Sequence, residues 1–453
     1  MRWARWDSDL NGDELAAVAD SKGNTYLILF ALWLMMFSAS SQVIIVTPIL
    51  PEISETLEIG EFWQGILLGS YAFALGISAV ITGPISDRIG RRRILLIGSA
   101  LMAVALALHT VAADFTLLLI MRTLAGVGGG ILSGGSVAYI GDYFPYDRRG
   151  WANGWVMSGT AFGQIAGIPI GKVLATAFGY RWPFLMFAIT MGLATILIWF
   201  VLPAVNEYLD PKRLTIRRMV SKYRRLIRRS EIVAAVATYF LMFLGIGLFA
   251  SFLPTWLEVE IGISGFQIAL LFAIGGMGNI IAAPVAGHVS DTIGRKPLVI
   301  FSCLGLSVLI LIAPYTIDGF AMAAFLFFLA MVTVGIRISP LQALMTALVK
   351  DARRGLLMGL AVGLGQVGFG VGSFIAGITY GPYGYVSNTV MGAAAILLMA
   401  AIVKWGLPEP DLNQDRPEQA TTSPASSTSD GTSEAATISP SSTSPSAPNK
   451  TNP

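Results

Sequence analysis

In this chain of 453 residues 54% are apolar and 13% charged, with 49 glycines and a mean hydropathy of +0.68. A soluble domain carries about 25% charged residues, so a soluble globular class is excluded. The formal net charge is only +3, and one cysteine, Cys303, excludes an intramolecular disulfide and reads as a packing residue.

Residues 1–25 are polar and acidic, with Trp3 and Trp6, and lack the apolar core of a signal peptide. They read as a cytoplasmic tail, leaving the first span to direct insertion. About 20 apolar residues cross a bilayer. Twelve such stretches follow, at 26–50, 62–85, 94–112, 115–140, 151–174, 182–202, 232–254, 265–286, 298–314, 320–349, 356–380 and 387–406. Residues 26–202 and 232–406 thus form two six-helix halves, joined by a basic linker at 203–231. That linker carries Lys212, Arg213, Arg217, Arg218, Lys222, Arg224, Arg225, Arg228 and Arg229, an orientation signal and tether or a basic amphipathic helix on anionic lipid. From 407 to 453 Ser, Thr, Pro and Ala dominate, which predicts a disordered cytoplasmic tail. With both termini cytoplasmic, 26 of the 30 basic residues lie inside, the exceptions being Arg122, Lys172, Arg181 and Arg337.

The chain repeats itself. GPISDRIGRRR from Gly83 and GHVSDTIGRKP from Gly287 align Gly83, Ser86, Asp87, Gly90 and Arg91 with Gly287, Ser290, Asp291, Gly294 and Arg295, 204 residues apart. Beyond YDRRG ending at Gly150 and KDARRG ending at Gly355, Gly154, Gly163 and Gly167 match Gly359, Gly368 and Gly372 at a separation of 205. Such repeats are a signature of transporters built as two pseudo-symmetric halves.

Within the spans Gly159, Gly163, Gly167 and Gly171 share one helix face, which Pro169 should bend, giving a smooth surface suited to sliding between halves. Only Arg122 and Arg337 place a charge deep in a span, where charge is costly and faces a cavity. Lys172 and Lys404 lie near span ends and are expected to snorkel. No carboxylate falls near a span centre; the nearest titratable acids are Glu52, Asp114, Glu258 and Glu260 outside and Asp142 inside. His109 and His288 can titrate but read as structural. Gln42, Asn153, Gln164, Asn279, Gln342 and Gln366, interleaved with Trp33, Phe37, Phe162, Phe243 and Phe369, offer either a lining for a weakly polar ligand or bonds between helices.

The phrase G-x-x-x-D-R-x-G-R-R-R after the second of twelve spans resembles the loop signature of the major facilitator superfamily. TPILP at 47–51, LIMRTLAGVGGG at 119–130 and GTAFGQIAGIPIG at 159–171 resemble elements of its twelve-helix drug:proton antiporters. The resemblance implies that Asp87 caps the eleventh span near Gly355, that Asp291 caps the fifth near Gly150, and that Arg91 pairs with Asp142. With Gly83, Arg88, Gly90, Gly287, Gly294 and Arg295 these would form a cytoplasmic latch that breaks on opening. The second copy departs from the pattern at Thr292 and Pro297, and no acid stands opposite Arg295 as Asp142 does in the first half, with Asp351 the candidate substitute. The resemblance assigns Arg122 to proton coupling.

The expected fold is therefore all-α, twelve transmembrane helices in two pseudo-symmetric halves. The expected function is secondary transport by alternating access at the plasma (inner) membrane, exporting a small organic compound, with protons as the candidate coupling ion. Arg122 and Arg337 contacting an anionic metabolite for uptake or exchange is the rival. An intramembrane enzyme is disfavoured by two histidines, one cysteine and no embedded carboxylate. ATP-driven pumping is disfavoured because no G-x-x-x-x-G-K-[ST] loop occurs. The reading implies no cofactor, no metal and no nucleic-acid partner; the partners are a small-molecule substrate and the lipid bilayer, and the working unit is a monomer.

Overall fold

The computed structural model describes residues 12–145, 148–203, 216–349 and 351–408, with backbone alone at 12–24, 83, 84, 87, 216–220, 222, 291 and 351–353. The side chains of Asp87 and Asp291, the surroundings of Gly83 and nearly all of the tail at 407–453 therefore lie outside the described residues.

Lipid offers no partner to backbone N–H and C=O groups, so each apolar stretch closes its hydrogen bonds internally as helix. The first span is α1 (Gly12–Ile44) running into α2 (Val46–Leu57), and α1 begins within the stretch expected to be a tail. Next come α3 (Glu61–Ile89) and α4 (Arg91–His109), then the fourth span as α5 (Phe115–Leu132) and α6 (Gly135–Tyr143). The fifth is α7 (Arg149–Phe162), a π turn (Gly163–Gly167) and α8 (Ile168–Phe178); α9 (Arg181–Val201) closes the first half. The linker helix α10 (Ile216–Ile227) leads to α11 (Ser230–Ala250) and α12 (Leu253–Val259), then α13 (Gly265–Ile293), α14 (Arg295–Thr316), α15 (Phe320–Ala347) and α16 (Asp351–Gly406). Among the described residues eleven continuous stretches are long and apolar enough to cross a membrane, the last being Arg354–Gly406. That stretch breaks at Gly384, where φ is +66°, a value that glycine adopts without a Cβ penalty. It supplies the eleventh and twelfth spans.

The repeat is visible in geometry. Gly90 ends α3 at φ +100° and Gly294 ends α13 at φ +101°, each N–H donating over 3.1 Å to the carbonyl of Ser86 or Ser290. The left-handed backbone is why both copies of the phrase carry glycine there. In the first half Gly163 abuts the Phe37 carbonyl and Gly167 the Ser41 hydroxyl, both on α1; 205 residues later Gly368 abuts Phe240 O and Gly372 abuts Leu244 O on α11.

This corrects the expected role of the fifth-span glycines. Gly159 meets Trp33 O, and Gly171 meets Ile45, so the whole face of Gly159, Gly163, Gly167 and Gly171 is buried on the first span of its own half. A different face, with Ile165, Lys172 and Thr176, meets Gly276 and Gly265 of α13 across the boundary. Pro169 has no N–H to give, and just before it Ile168 N–H reaches back to Gly163 O, the i to i−5 bond of the π turn.

The other boundary is α3 against α16. A methyl group added at Gly65 would stand 2.7 Å from Ser373 O, at Gly69 2.9 Å from Gly370 O, and at Gly377 2.7 Å from Glu61 O, while Gly76 abuts Gly363 O. Main chain touches main chain along this seam, the close approach that small residues permit in membrane bundles.

Candidate functional site

Gln42 lies in the last turn of α1, where carbonyls lack helical partners. Arg122 of α5 fills that vacancy, Nη2 donating to Gln42 O at 2.7 Å and Nη1 to Gln42 Oε1 at 3.5 Å. Glycines place it there: Gly126 and Gly130 lie directly on the Tyr71 and Leu75 carbonyls of α3, which sets the Tyr71 ring 4.1 Å from the guanidinium. Arg122 is 1% exposed, and none of the ion pairs among the described residues includes it. Arg122 Nε, Gln42 Nε2, Tyr71 OH and His109 Nε2 are buried without a partner, while His109 Nδ1 is tied to Ala105 O at 2.6 Å. Cation–π contact and one strong bond hold the charge, and several donors remain unspent.

Arg337 is equally buried, but Nη1 reaches Cys303 Sγ of α14 at 3.7 Å and Nε and Nη2 have no partner. It shares no contact partner with Arg122, and each cation sits within its own half.

The neutral polar residues divide. Gln42 is committed to Arg122. Gln342 bonds to Tyr239. Gln366 and Asn153 each keep a buried oxygen without a partner, and Gln164, in the π turn, and Asn279 are half-buried. Trp33 stacks on Phe37 with centroids 5.7 Å apart, Phe162 lies 5.6 Å from Trp33, and Trp33 Nε1 donates to Ser158. In the second half Gly365 leaves room for the Phe243 ring, and Phe369 is buried with its carbonyl against Gly247.

The two ends of the bundle differ. At the end carrying the Gly90 and Gly294 turns, Arg91 Nε donates to Asp142 Oδ2 at 2.9 Å and Nη1 to Ser86 Oγ at 2.9 Å. Both belong to the first half, so this pair does not join the halves and is intact here. Arg88 is exposed. Four further basic residues cap helix ends in matched pairs. Arg92 donates to Trp199 O near the end of α9, and Lys296 to Lys404 O and Leu407 O at the end of α16. Arg149 donates to Phe144 O after α6, and Arg354 to Thr346 O of α15. Each cation sits at the negative end of a helix dipole. Gly150, Gly154, Gly355 and Gly359 at this end have no neighbouring atom near an added Cβ, nor do Gly60, Gly179 and Gly319 at the other.

The opposite end is closed. Lys172 Nζ of α8, expected to snorkel, is 0% exposed and donates to Glu52 Oε1 of α2 at 2.7 Å and to Glu258 Oε2 of α12 at 2.9 Å. Thr176 Oγ1 adds a 3.0 Å bond to Glu52, and Tyr380 OH bonds Glu260 at 3.0 Å. The apolar core of the first half runs on into the second here, through Leu253, Trp256, Leu257 and Tyr380. Snorkelling was the wrong expectation because the partners come from two other spans, one of them in the other half. The only sequence signal was that Glu52 and Glu258 stand among the few acids near that level.

A bundle of twelve apolar helices in two like halves, with buried cations and a glycine-lined boundary, is the architecture of a multi-pass membrane transporter. The family model described as Major Facilitator Superfamily matches residues 32–258 and again 235–441, and the chain belongs to that superfamily. The uncharacterized MFS-type transporter YceJ of Bacillus subtilis (strain 168) is 27% identical over 375 residues, 82% of this chain and 94% of that protein. The multidrug resistance protein MdtG of Yersinia enterocolitica serotype O:8 / biotype 1B (strain NCTC 13174 / 8081) is 26% identical over 390 residues, 84% of this chain and 92% of that one. The crystal structure of a D-xylose-proton symporter superposes with a TM-score of 0.71 at 19% identity, covering 85% of this chain and 98% of that one, a likeness of fold.

Proposed function

We propose that the protein exports an amphipathic organic compound across the plasma membrane in exchange for protons, by alternating access, with both termini in the cytoplasm. The observation that carries this reading is the buried, ion-paired closure of Glu52, Lys172 and Glu258, which ties the two halves together at the end opposite the basic loops. With the basic end facing the cytoplasm, this is the state that loads substrate from inside. A relative is named multidrug resistance protein MdtG, and export is one way to confer resistance.

Apolar contact with Trp33, Phe37 and Phe162 would hold the compound, and Gln164, Asn279 and Gln366 would orient it. Arg122 stays protonated and cannot itself carry the proton, so coupling needs a carboxylate. When the cytoplasmic end closes, Asp87 and Asp291 would cap the helices that begin at Asp351 and Arg149, near Gly355 and Gly150. The anionic rival needs Arg122 and Arg337 free for one ligand, yet Arg122 is committed to Gln42 and Arg337 turns to Cys303 of α14.

The test is proteoliposome transport of cationic dyes and organic anions with and without an imposed pH gradient. Dye movement against the gradient, with anions ignored, is expected. Anion movement independent of pH would overturn the reading. In the same assay Asp87→Asn should cut transport at least tenfold at normal expression, and Asp291→Asn less, because the second copy of the loop lacks Arg at 292.

A further inference from the structure

The linker helix α10 carries no acidic residue, and its two faces meet different surroundings. Inward, Leu226 is 3% exposed in the core of the second half, and Tyr223 packs against the same core. Just past the helix, Arg229 Nη1 donates over 3.3 Å to Leu348 O, at the end of α15. Tyr223 also reaches the first half, its hydroxyl donating to Val80 O of α3 at 2.9 Å. The sequence explains why that carbonyl is available. Residue 84 is proline and has no N–H, so Val80 O lacks the donor that a helix supplies four residues on. The second copy of the phrase has His288 at the matching position and frees no carbonyl there.

Outward, Arg224, Arg225 and Arg228 are exposed, with no hydrogen-bond or ion-pair partner among the described residues, and Ile227 beside them is exposed too. The level is that of the membrane surface. The span α11 begins at Ser230, and at the same end of the bundle the exposed Trp199 and Trp405 close α9 and α16, a ring type that collects among headgroups. We propose that the outer face of α10 binds the phosphates of anionic phospholipids in the cytoplasmic leaflet, and that the bound lipid thereby holds α3 to the second half through Tyr223. Guanidinium groups match phosphate oxygens in paired bonds, and Ile227 enters the acyl boundary beside them. The rival occupant is the chain's own tail, with Asp411, Asp415, Glu418, Asp430 and Glu434. An acidic tail would meet the arginines but leave Ile227 in water, so the mixed face favours the bilayer.

The choice of leaflet rests on the orientation proposed above; the binding does not. Hydrogen exchange of the full chain is followed by mass spectrometry in nanodiscs of phosphatidylcholine, alone or mixed equally with phosphatidylglycerol. Both leaflets of a disc carry the same lipid and no substrate is present, so failure of the export reading would leave the result unchanged. Phosphatidylglycerol should slow exchange across residues 216–229 by about tenfold or more, since each cation at an anionic surface adds to attachment. High salt should erase the difference. The triple variant Arg224→Gln, Arg225→Gln, Arg228→Gln should exchange equally in both lipids, with the spans unaffected. Tyr223→Phe should speed exchange in both lipids yet keep their ratio, because it frees only the inner face; unaltered exchange in that variant would refute the tie to α3. Equal wild-type exchange in the two lipids, or a triple variant that keeps the difference, would overturn the lipid site. Loss of the difference on deleting residues 411–453 would assign the face to the tail and overturn it equally.

Discussion

At the residue scale, Arg122 combines burial, one short bond to a helix-end carbonyl and a ring beneath it. Arg122→Ala should abolish proton-driven transport and lower stability by about 2–5 kcal/mol, since it empties a buried site and strips Gln42 O of its donor. Arg122→Lys keeps charge but not the planar fork, and should retain part of the coupled transport while losing affinity for any ligand held by paired bonds. Tyr71→Phe is the sharper probe. The Tyr71 hydroxyl is buried without a partner, so removing it should leave thermal stability unchanged or raised. A loss of transport in that variant would identify the hydroxyl as a substrate or water contact, and unchanged transport would leave only the ring's support of Arg122. Arg122 was legible in the sequence because a charge within an apolar span has few explanations. Lys172 was not, because its burial depends on Glu52 and Glu258 arriving from distant segments.

At the element scale, glycine spacing announced close packing but not the partner. Gly163→Leu and Gly76→Leu should both abolish transport, for different reasons. The first collides with α1 and disturbs one half, lowering its thermal stability; the second collides with Gly363 on α16 and jams the boundary, leaving each half folded. Circular dichroism melts of detergent-solubilised variants separate the two, with Gly192→Leu on α9 as the tolerated control because its Cβ would meet nothing within 4 Å. Equal melts and normal transport in both variants would show that neither packing is as tight as described. The π turn at Gly163–Gly167 was hidden from the sequence, since one extra residue per turn hardly disturbs hydrophobic periodicity over a short stretch. The basic residues of the loops were legible as an orientation signal; their capping of carbonyls at Trp199, Lys404, Phe144 and Thr346 depends on where other spans end.

At the scale of the whole molecule, twelve spans and two halves follow from hydropathy and the repeat alone, because lipid leaves a buried chain no other backbone solution. Which end stands open does not, since one sequence encodes both states. Cysteines introduced at Gly154 and Gly359 should react with membrane-impermeant maleimide from the basic end, while one at Gly69 should stay unreactive. Protection of the first two would mean that the resting population differs from this structure. The α3–α16 seam has one more consequence. Where side chains interdigitate, every swing must free and refreeze rotamers, at up to about 1.5–2 kcal/mol for each long side chain ordered. A seam in which Gly65, Gly69 and Gly76 rest on opposing carbonyls has fewer rotamers to sort, those of Phe73, Val80 and Val367 among them. In the proposed alternating access it would act as a bearing, letting the halves turn against each other without a loosened, melted interface.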